Sequence, residues 1–239
     1  CFGGASGLWA GGCSPFKSDD FEKKSFLPLS GWPISIDDLK VYYKEAAKML
    51  GISYEKFYNK RFFRDTLNGI SFKQFDRKNS FLTGNVFQIS NSKNKDVGAK
   101  YKNEFESSQN IDVLLHSTVT QLNLNTEGSG VESVSIADLI GNKATVKANQ
   151  FVLACGALEN PRILLASNSF YEEGIGNSSG FVGACFMSHP GVRNVGEVYR
   201  TSDEQCIDKD KYKADYFVQF EMSLKQRLKH KTLRHALST

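Results

Sequence analysis

Apolar side chains recur at helical spacing most clearly at Leu39, Tyr42, Tyr43, Ala46, Ala47 and Leu50. They predict an amphipathic helix opened by a capping-box pair, Ser35 and Asp38, and closed at Gly51, with both tyrosines as packing residues. Asp96 predicts the N-cap of a second helix with Val97, Tyr101 and Phe105 on one side. Between residues 111 and 149 the period changes to two. Ile111 to His116, Thr118 to Asn125, Val131 to Ala137 and Lys143 to Asn149 read as strands, and Gly128-Ser-Gly130 and Gly141-Asn142 supply turns for an antiparallel meander. The meander hands the chain to Phe151–Ala154, an apolar run that reads as a strand covered on both faces. Gly156 then turns it into a helix with Pro161 in the first turn and Leu158, Ile163, Leu164 and Leu165 on its apolar side.

Elsewhere the pattern is weaker. From Ile52 to Lys95, aromatic residues such as Phe57, Tyr58, Phe81 and Phe87 stand among polar ones without a period, which predicts short elements and loops, with Asn91–Lys95 a polar linker. Further on, Val195 to Tyr199 and Tyr216 to Met222 read as strands, separated by a polar loop reaching Asp210. Ser223 to Thr239 is a loosely helical basic segment carrying Lys225, Arg227, Lys229, Lys231 and Arg234, expected to be a solvated face or a frayed end.

The chain has 239 residues and 40% hydrophobic side chains, enough for one large or two modest domains with a core. Its net charge of +4 is small and dispersed, which argues against a nucleic-acid surface. Five cysteines without a C-x-x-C pair point to free thiols in a reducing, cytoplasmic setting and to no metal site. No stretch has the length and apolarity of a membrane span. The sequence begins at Cys1 and reads as a fragment or a processed product.

The candidate chemistry lies in small residues. Phe2-Gly-Gly-Ala-Ser-Gly-Leu-Trp-Ala-Gly-Gly12 packs glycines around one serine and one tryptophan, a composition for backbone that approaches something flat or charged. The corner Ala154-Cys155-Gly156 leads into a helix N-terminus, where backbone N–H groups and the helix dipole suit an anionic or strongly polar ligand. The same corner is also the ordinary β-α turn of an α/β protein.

Taken together and in order, the Phe2–Cys13 cluster, Asp20-Phe21, Trp32-Pro33 with the Asp38-Leu39 helix, Val152–Ser167, Gly176-Asn177 and Phe186-Met-Ser-His-Pro190 resemble the glucose-methanol-choline oxidoreductases, in the branch of pyranose oxidase. The likeness spans residues 1 to about 190 and is thin from 52 to 95. It implies an α/β (α+β) architecture: an FAD-binding doubly wound domain with an antiparallel meander, plus an incomplete, sheet-based substrate domain. Residues 1–51 and 96–189 would belong to the first, and residues 52–95, as substrate-domain part or lid, and 190–239 to the second.

The resemblance implies a flavoprotein that oxidises the CH–OH group of a sugar, polyol or other alcohol by hydride transfer to FAD. Gly3, Gly4 and Ser6 would approach the flavin or pyrophosphate, Trp9 would lie near the ring, and Val119 would meet adenine through its backbone. Ala154, Cys155 and Gly156 would pass the adenosine half. Each also has a plain structural role open to it: Val119 in a core strand, Trp9 as an anchor, Ser6 in a turn. Leu8 stands where the pyranose oxidase pattern has the histidine that carries flavin covalently, so the FAD is expected to be dissociable. The family's Gly-x-Gly-x-x-Gly motif does not occur in the chain, and the resemblance puts the catalytic base beyond Thr239. His189 is the candidate base within the chain, although its setting matches a structural motif of the family. A non-catalytic remnant or interaction module using the basic tail, and a nicotinamide dehydrogenase, are the alternative readings.

Overall fold

The computed structural model describes residues 2–59, 81–188, 191, 215–234 and 236–237. Contacts divide the chain into two units, Cys1–Gln109 with Arg200–Thr239, and Asn110–Tyr199. The first contains a 3-10 turn at Gly4–Gly7, strand β1 (Gly12–Cys13), helices α1 (Ser18–Phe21), α2 (Ile36–Leu50) and α3 (Tyr54–Tyr58), strand β2 (Leu82–Ile89), and helices α4 (Ser92–Lys95) and α5 (Val97–Ser107). The second holds β3 (Thr118–Leu124), β4 (Val131–Ala137), β5 (Lys143–Lys147) and α6 (Gly156–Ala166). The chain re-enters the first unit with β6 (Tyr216–Met222), α7 (Leu224–His230) and β7 (Ala236–Leu237). The fold is mixed α and β with antiparallel sheets.

In the first unit the strand order is β1-β2-β6-β7. The long pairing of β2 with β6 runs in register from Leu82 opposite Met222 to Gln88 opposite Tyr216. Phe87 and Phe217 face each other across it with ring centroids 4.7 Å apart, the cross-strand contact that stabilises such a ladder. Helix α2 begins and ends as its sequence dictates. Asp38 Oδ2 accepts from both the N–H and the hydroxyl of Ser35, at 2.7 and 2.8 Å, and Gly51 closes the helix at φ 66°. Its inward face is Leu39, Tyr43, Ala47 and Leu50, whereas Tyr42 is 68% exposed and does not pack.

Two polar side chains fix the helices to β2. Gln88, buried, accepts from the Ser53 N–H and donates to the Ser53 carbonyl. Ser90, also buried, donates to the Leu50 carbonyl at the end of α2. The segment expected to be a polar linker forms α4 instead, because Asn91 Oδ1 accepts from the Lys93 and Asn94 N–H groups. Asp96 caps α5 as expected, accepting from Ala99 N–H at 3.0 Å.

In the second unit β3, β4 and β5 form the antiparallel meander predicted from their alternation. A register shift between Val119 and Gln121 interrupts the period of two. Val119 and Leu122 thus share the core side, and Thr120 is exposed. Leu122, Val134 and Ile163 make the buried cluster that joins α6 to the sheet.

Two expected strands are not strands. Ile111 to His116 is irregular, with Leu114 and Leu115 62% and 58% exposed; it lacks alternation, and His116 turns the chain at φ 56°. Phe151–Ala154 keeps a strand's alternation, since Phe151 and Leu153 pack on the cluster while Val152 is 88% exposed, but it pairs with no described strand. Its polar groups go to Asn160 instead, which accepts from Cys155 N–H at 2.8 Å and donates to the Leu153 carbonyl at 3.3 Å. Pro161 lies within α6, one turn later than expected. Val195–Tyr199 lies outside the described residues.

Candidate functional site

The corner at Ala154-Cys155-Gly156 is built by that Asn160 side chain. It ties the incoming extended segment to the helix, so that the turn is held by side-chain hydrogen bonds where a strand ladder would otherwise hold it. Gly156 adopts φ 90°, a conformation that a side chain would strain, and the space where its Cβ would stand is open. Ala154, Cys155 and Gly156 are all exposed. Cys155 is a free thiol. The corner therefore offers accessible backbone at the start of a helix whose opposite face is anchored by Ile163 in the core.

Val119 lies in the same unit, half-buried on β3 opposite Ile136 and packed against the Leu122 cluster. Its side chain serves the core. Two hydrogen bonds reinforce the junction around it: buried Ser167 accepts from Leu122 N–H at 2.9 Å and donates to the Ile163 carbonyl at 2.7 Å.

The amino-terminal glycine stretch belongs to the other unit and divides by function. Gly3 packs on α5 so closely that a Cβ would stand 2.6 Å from Gly98. Ser6 donates to the Gly3 carbonyl at 2.6 Å and accepts from Val97 N–H at 3.1 Å, so its hydroxyl is spent on the turn and the helix start. Trp9 donates from Nε1 to the Lys95 carbonyl at 2.9 Å and is half-buried. Gly4 differs: exposed, at φ 56°, with nothing near the position of a Cβ. Of the residues singled out in the sequence, Gly4, Ala154, Cys155 and Gly156 are exposed. Gly3, Ser6, Trp9 and the Val119 side chain hold local structure. His189 lies outside the described residues.

The polar centre that sequence reasoning missed lies between α1 and the segment after β6. Arg227, 3% exposed, donates to Asp19 at 2.7 Å. Arg234 reaches Asp19 at 3.1 Å, Asp20 at 2.9 Å and both oxygens of buried Glu221 at 2.9 Å. Lys17 pairs with the same Glu221. Two of the five basic residues of the expected solvated tail are thus turned inward, into a cluster of three cations and three carboxylates. Burial opposes the charged form of Asp19, but the hydrogen bonds and charges of Arg227 and Arg234 outweigh it and hold its carboxyl below the ordinary range. Burial likewise opposes the charge on Arg234, and Glu221 and Asp20 more than restore it. Asp19 and Asp20 immediately precede Phe21 in the short helix α1; nothing in their spacing names partners more than two hundred residues away.

Among the described residues, no group of three or more His, Cys, Asp or Glu side chains is placed to hold a metal ion, and no helix is long and apolar enough to cross a membrane. Cys13, Cys155 and Cys185 are free. Burial pushes the half-buried Cys13 thiol up from its ordinary range. No family model matches the chain, and no curated protein sequence matches it.

Proposed function

We propose that the chain supplies part of the FAD site of an oxidoreductase that acts on the CH–OH group of a sugar, polyol or other alcohol. The observation that carries this reading is the corner Ala154-Cys155-Gly156: open backbone at positive φ, at the head of a helix, stiffened from behind by Asn160 and Ile163. Accessible backbone ahead of a helix N-terminus suits an anionic cofactor, and the corner coincides with the longest of the motifs that resemble the glucose-methanol-choline family.

In this reading the bound flavin accepts a hydride from the carbinol carbon. The chain's own residues position it. The backbone at Ala154–Gly156 meets the cofactor; in the other unit, Ser6 and Trp9 keep the glycine turn in shape through Val97 and Lys95. Leu8, 87% exposed and without a nucleophile, leaves the flavin non-covalent. The domain assignment follows from the same reading, with residues 1–51 and 96–189 on the FAD side and 52–95 and 190–239 on the substrate side.

The test is reconstitution of the purified chain with FAD, followed by gel filtration. Retained flavin absorption, with free flavin fluorescence appearing on denaturation, is expected. A chain that keeps no flavin and whose melting temperature ignores added FAD overturns the reading in favour of a non-catalytic module. The inward placement of Arg227 and Arg234 already removes two of the charges on which a tail-mediated interaction would draw.

A further inference from the structure

The first unit contains a cavity of about 460 Å³ that has no part in the flavin reading. It lies within the range of about 300–1,000 Å³ typical of small-molecule sites. Its apolar walls come from Phe16, Phe57 and Ile36, and its polar lining from Lys17, Lys40 and Asn85, among others. Among the described residues no Asp or Glu side chain lines it. The lining is therefore rich in donors and poor in anions.

The walls are built rather than incidental. Phe16 is held edge-on against buried Phe21, with centroids 5.8 Å apart. The Lys17 N–H donates to Asp20 at 2.8 Å, and its ammonium is anchored by buried Glu221. Asn85 projects from β2, and its amide has no hydrogen-bond partner among the described residues. Among the described residues Lys40 pairs only with Asp37, and both side chains are exposed, at 46% and 75%. An exposed pair of this kind is weakly coupled, so the ammonium can be drawn to a ligand at little cost. An open amide and an available cation beside aromatic walls are what a flat body with an anionic end requires.

We propose that this cavity binds a small carboxylate carrying a ring, the ring against Phe16 and Phe57 and the carboxylate toward Lys40 and Asn85. The ring can be aromatic, or the apolar face of a sugar acid. The site shares no residue with the positions proposed to meet FAD, so failure of one reading leaves the other standing.

Calorimetric titration of the full chain with benzoate and with glucuronate, each beside its neutral counterpart, benzyl alcohol and glucose, tests it. Saturable binding of at least one acid is expected, with the neutral counterpart much weaker. Benzoate alone identifies an aromatic ligand, glucuronate alone a sugar acid, and binding of both leaves the shared chemistry in place. Lys40→Gln, at an exposed position, and Asn85→Leu should each weaken binding roughly ten-fold, the size of one lost hydrogen bond to a charged group, with Lys40→Gln leaving the melting temperature unchanged. Absence of saturable binding by either acid, equal binding of the neutral compounds, or an affinity indifferent to Lys40→Gln overturns the proposal.

Discussion

The two units are held together by different means. In the second, Leu122, Val134 and Ile163 pack a meander onto the helix that follows it, and every strand pairs with its neighbour in sequence. In the first, the buried groups at the sheet include Gln88, Ser90, Glu221 and Arg227. There β2 pairs with β6 across the long intervening chain, and residues of α1 and its N-cap Lys17 bond to partners 204 to 215 positions away. An apolar cluster tolerates change of shape in proportion to the volume lost. A buried charge cluster does not, because each ion left alone has lost its solvation without compensation.

The sharpest way to break this comparison is Glu221→Ala. It leaves Lys17 without a counter-charge and Arg234 with Asp19 and Asp20 alone, and breaking a buried pair in this manner costs about 3–5 kcal/mol. Denaturant unfolding followed by tryptophan emission reads the loss, since Trp9 and Trp32 both belong to the first unit. A loss below about 1 kcal/mol, the range of surface pairs, would mean that the cluster is solvated and that the contrast is false. Leu122→Ala is the matching cut in the second unit. For a leucine this deeply buried the cost is about 2–5 kcal/mol, and it should appear in amide exchange of β3 to β5 while the tryptophan transition stays in place.

Acid separates the units by a third route. The carboxyl of Asp19 titrates lower in the folded chain than in the unfolded one, because Arg227 and Arg234 favour its charged form. Its contribution is therefore complete above the unfolded value of about 3.9 and disappears as the pH falls through the lower folded value. The tryptophan-detected stability of the first unit should decline over that interval, and Asp19→Asn should remove most of the slope. In the second unit Asp138 is also held low, by Asn142 and turn N–H groups, but it sits half-exposed on a turn and these partners are uncharged. The meander should lose little over the same range.

The same contrast explains what could be read in advance. Helix α2, the Asp96 cap and the three-stranded meander depend on residues close in sequence, so period and capping chemistry reveal them. The β2 strand was missed because its partner, β6, lies beyond the reach of a local pattern, and its buried Gln88 and Ser90 look like surface residues until Ser53 and Leu50 are seen beside them. Arg227 and Arg234 read as solvent-facing for the same reason: charge alone does not say which acid it will meet. Of the glycine positions, sequence found the clusters but not the difference between Gly3, which makes room for Gly98, and Gly4, which faces open space. Composition locates small residues; only packing says whether a neighbour already fills the gap.

The smallest expected effect concerns the corner at Cys155. Asn160→Ala removes two hydrogen bonds that hold the segment before α6, one to Cys155 N–H and one to the Leu153 carbonyl. Since the corner is exposed, water replaces them in part, and the net cost should be about 1 kcal/mol. The Leu122 cluster does not depend on this side chain, so the meander should remain folded. What changes is local order: the Cys155 amide should exchange faster by hydrogen–deuterium measurement, with β3 and β4 unaffected. Asn160→Asp separates the two bonds, because the carboxylate still accepts from Cys155 N–H but can no longer donate to Leu153. Protection retained in Asn160→Asp and lost in Asn160→Ala would assign the order of the corner to the accepting bond. Protection retained in both would mean that the backbone turn at Gly156 is sufficient by itself, and that this part of the second unit, unlike the charge cluster of the first, needs no distant or side-chain partner.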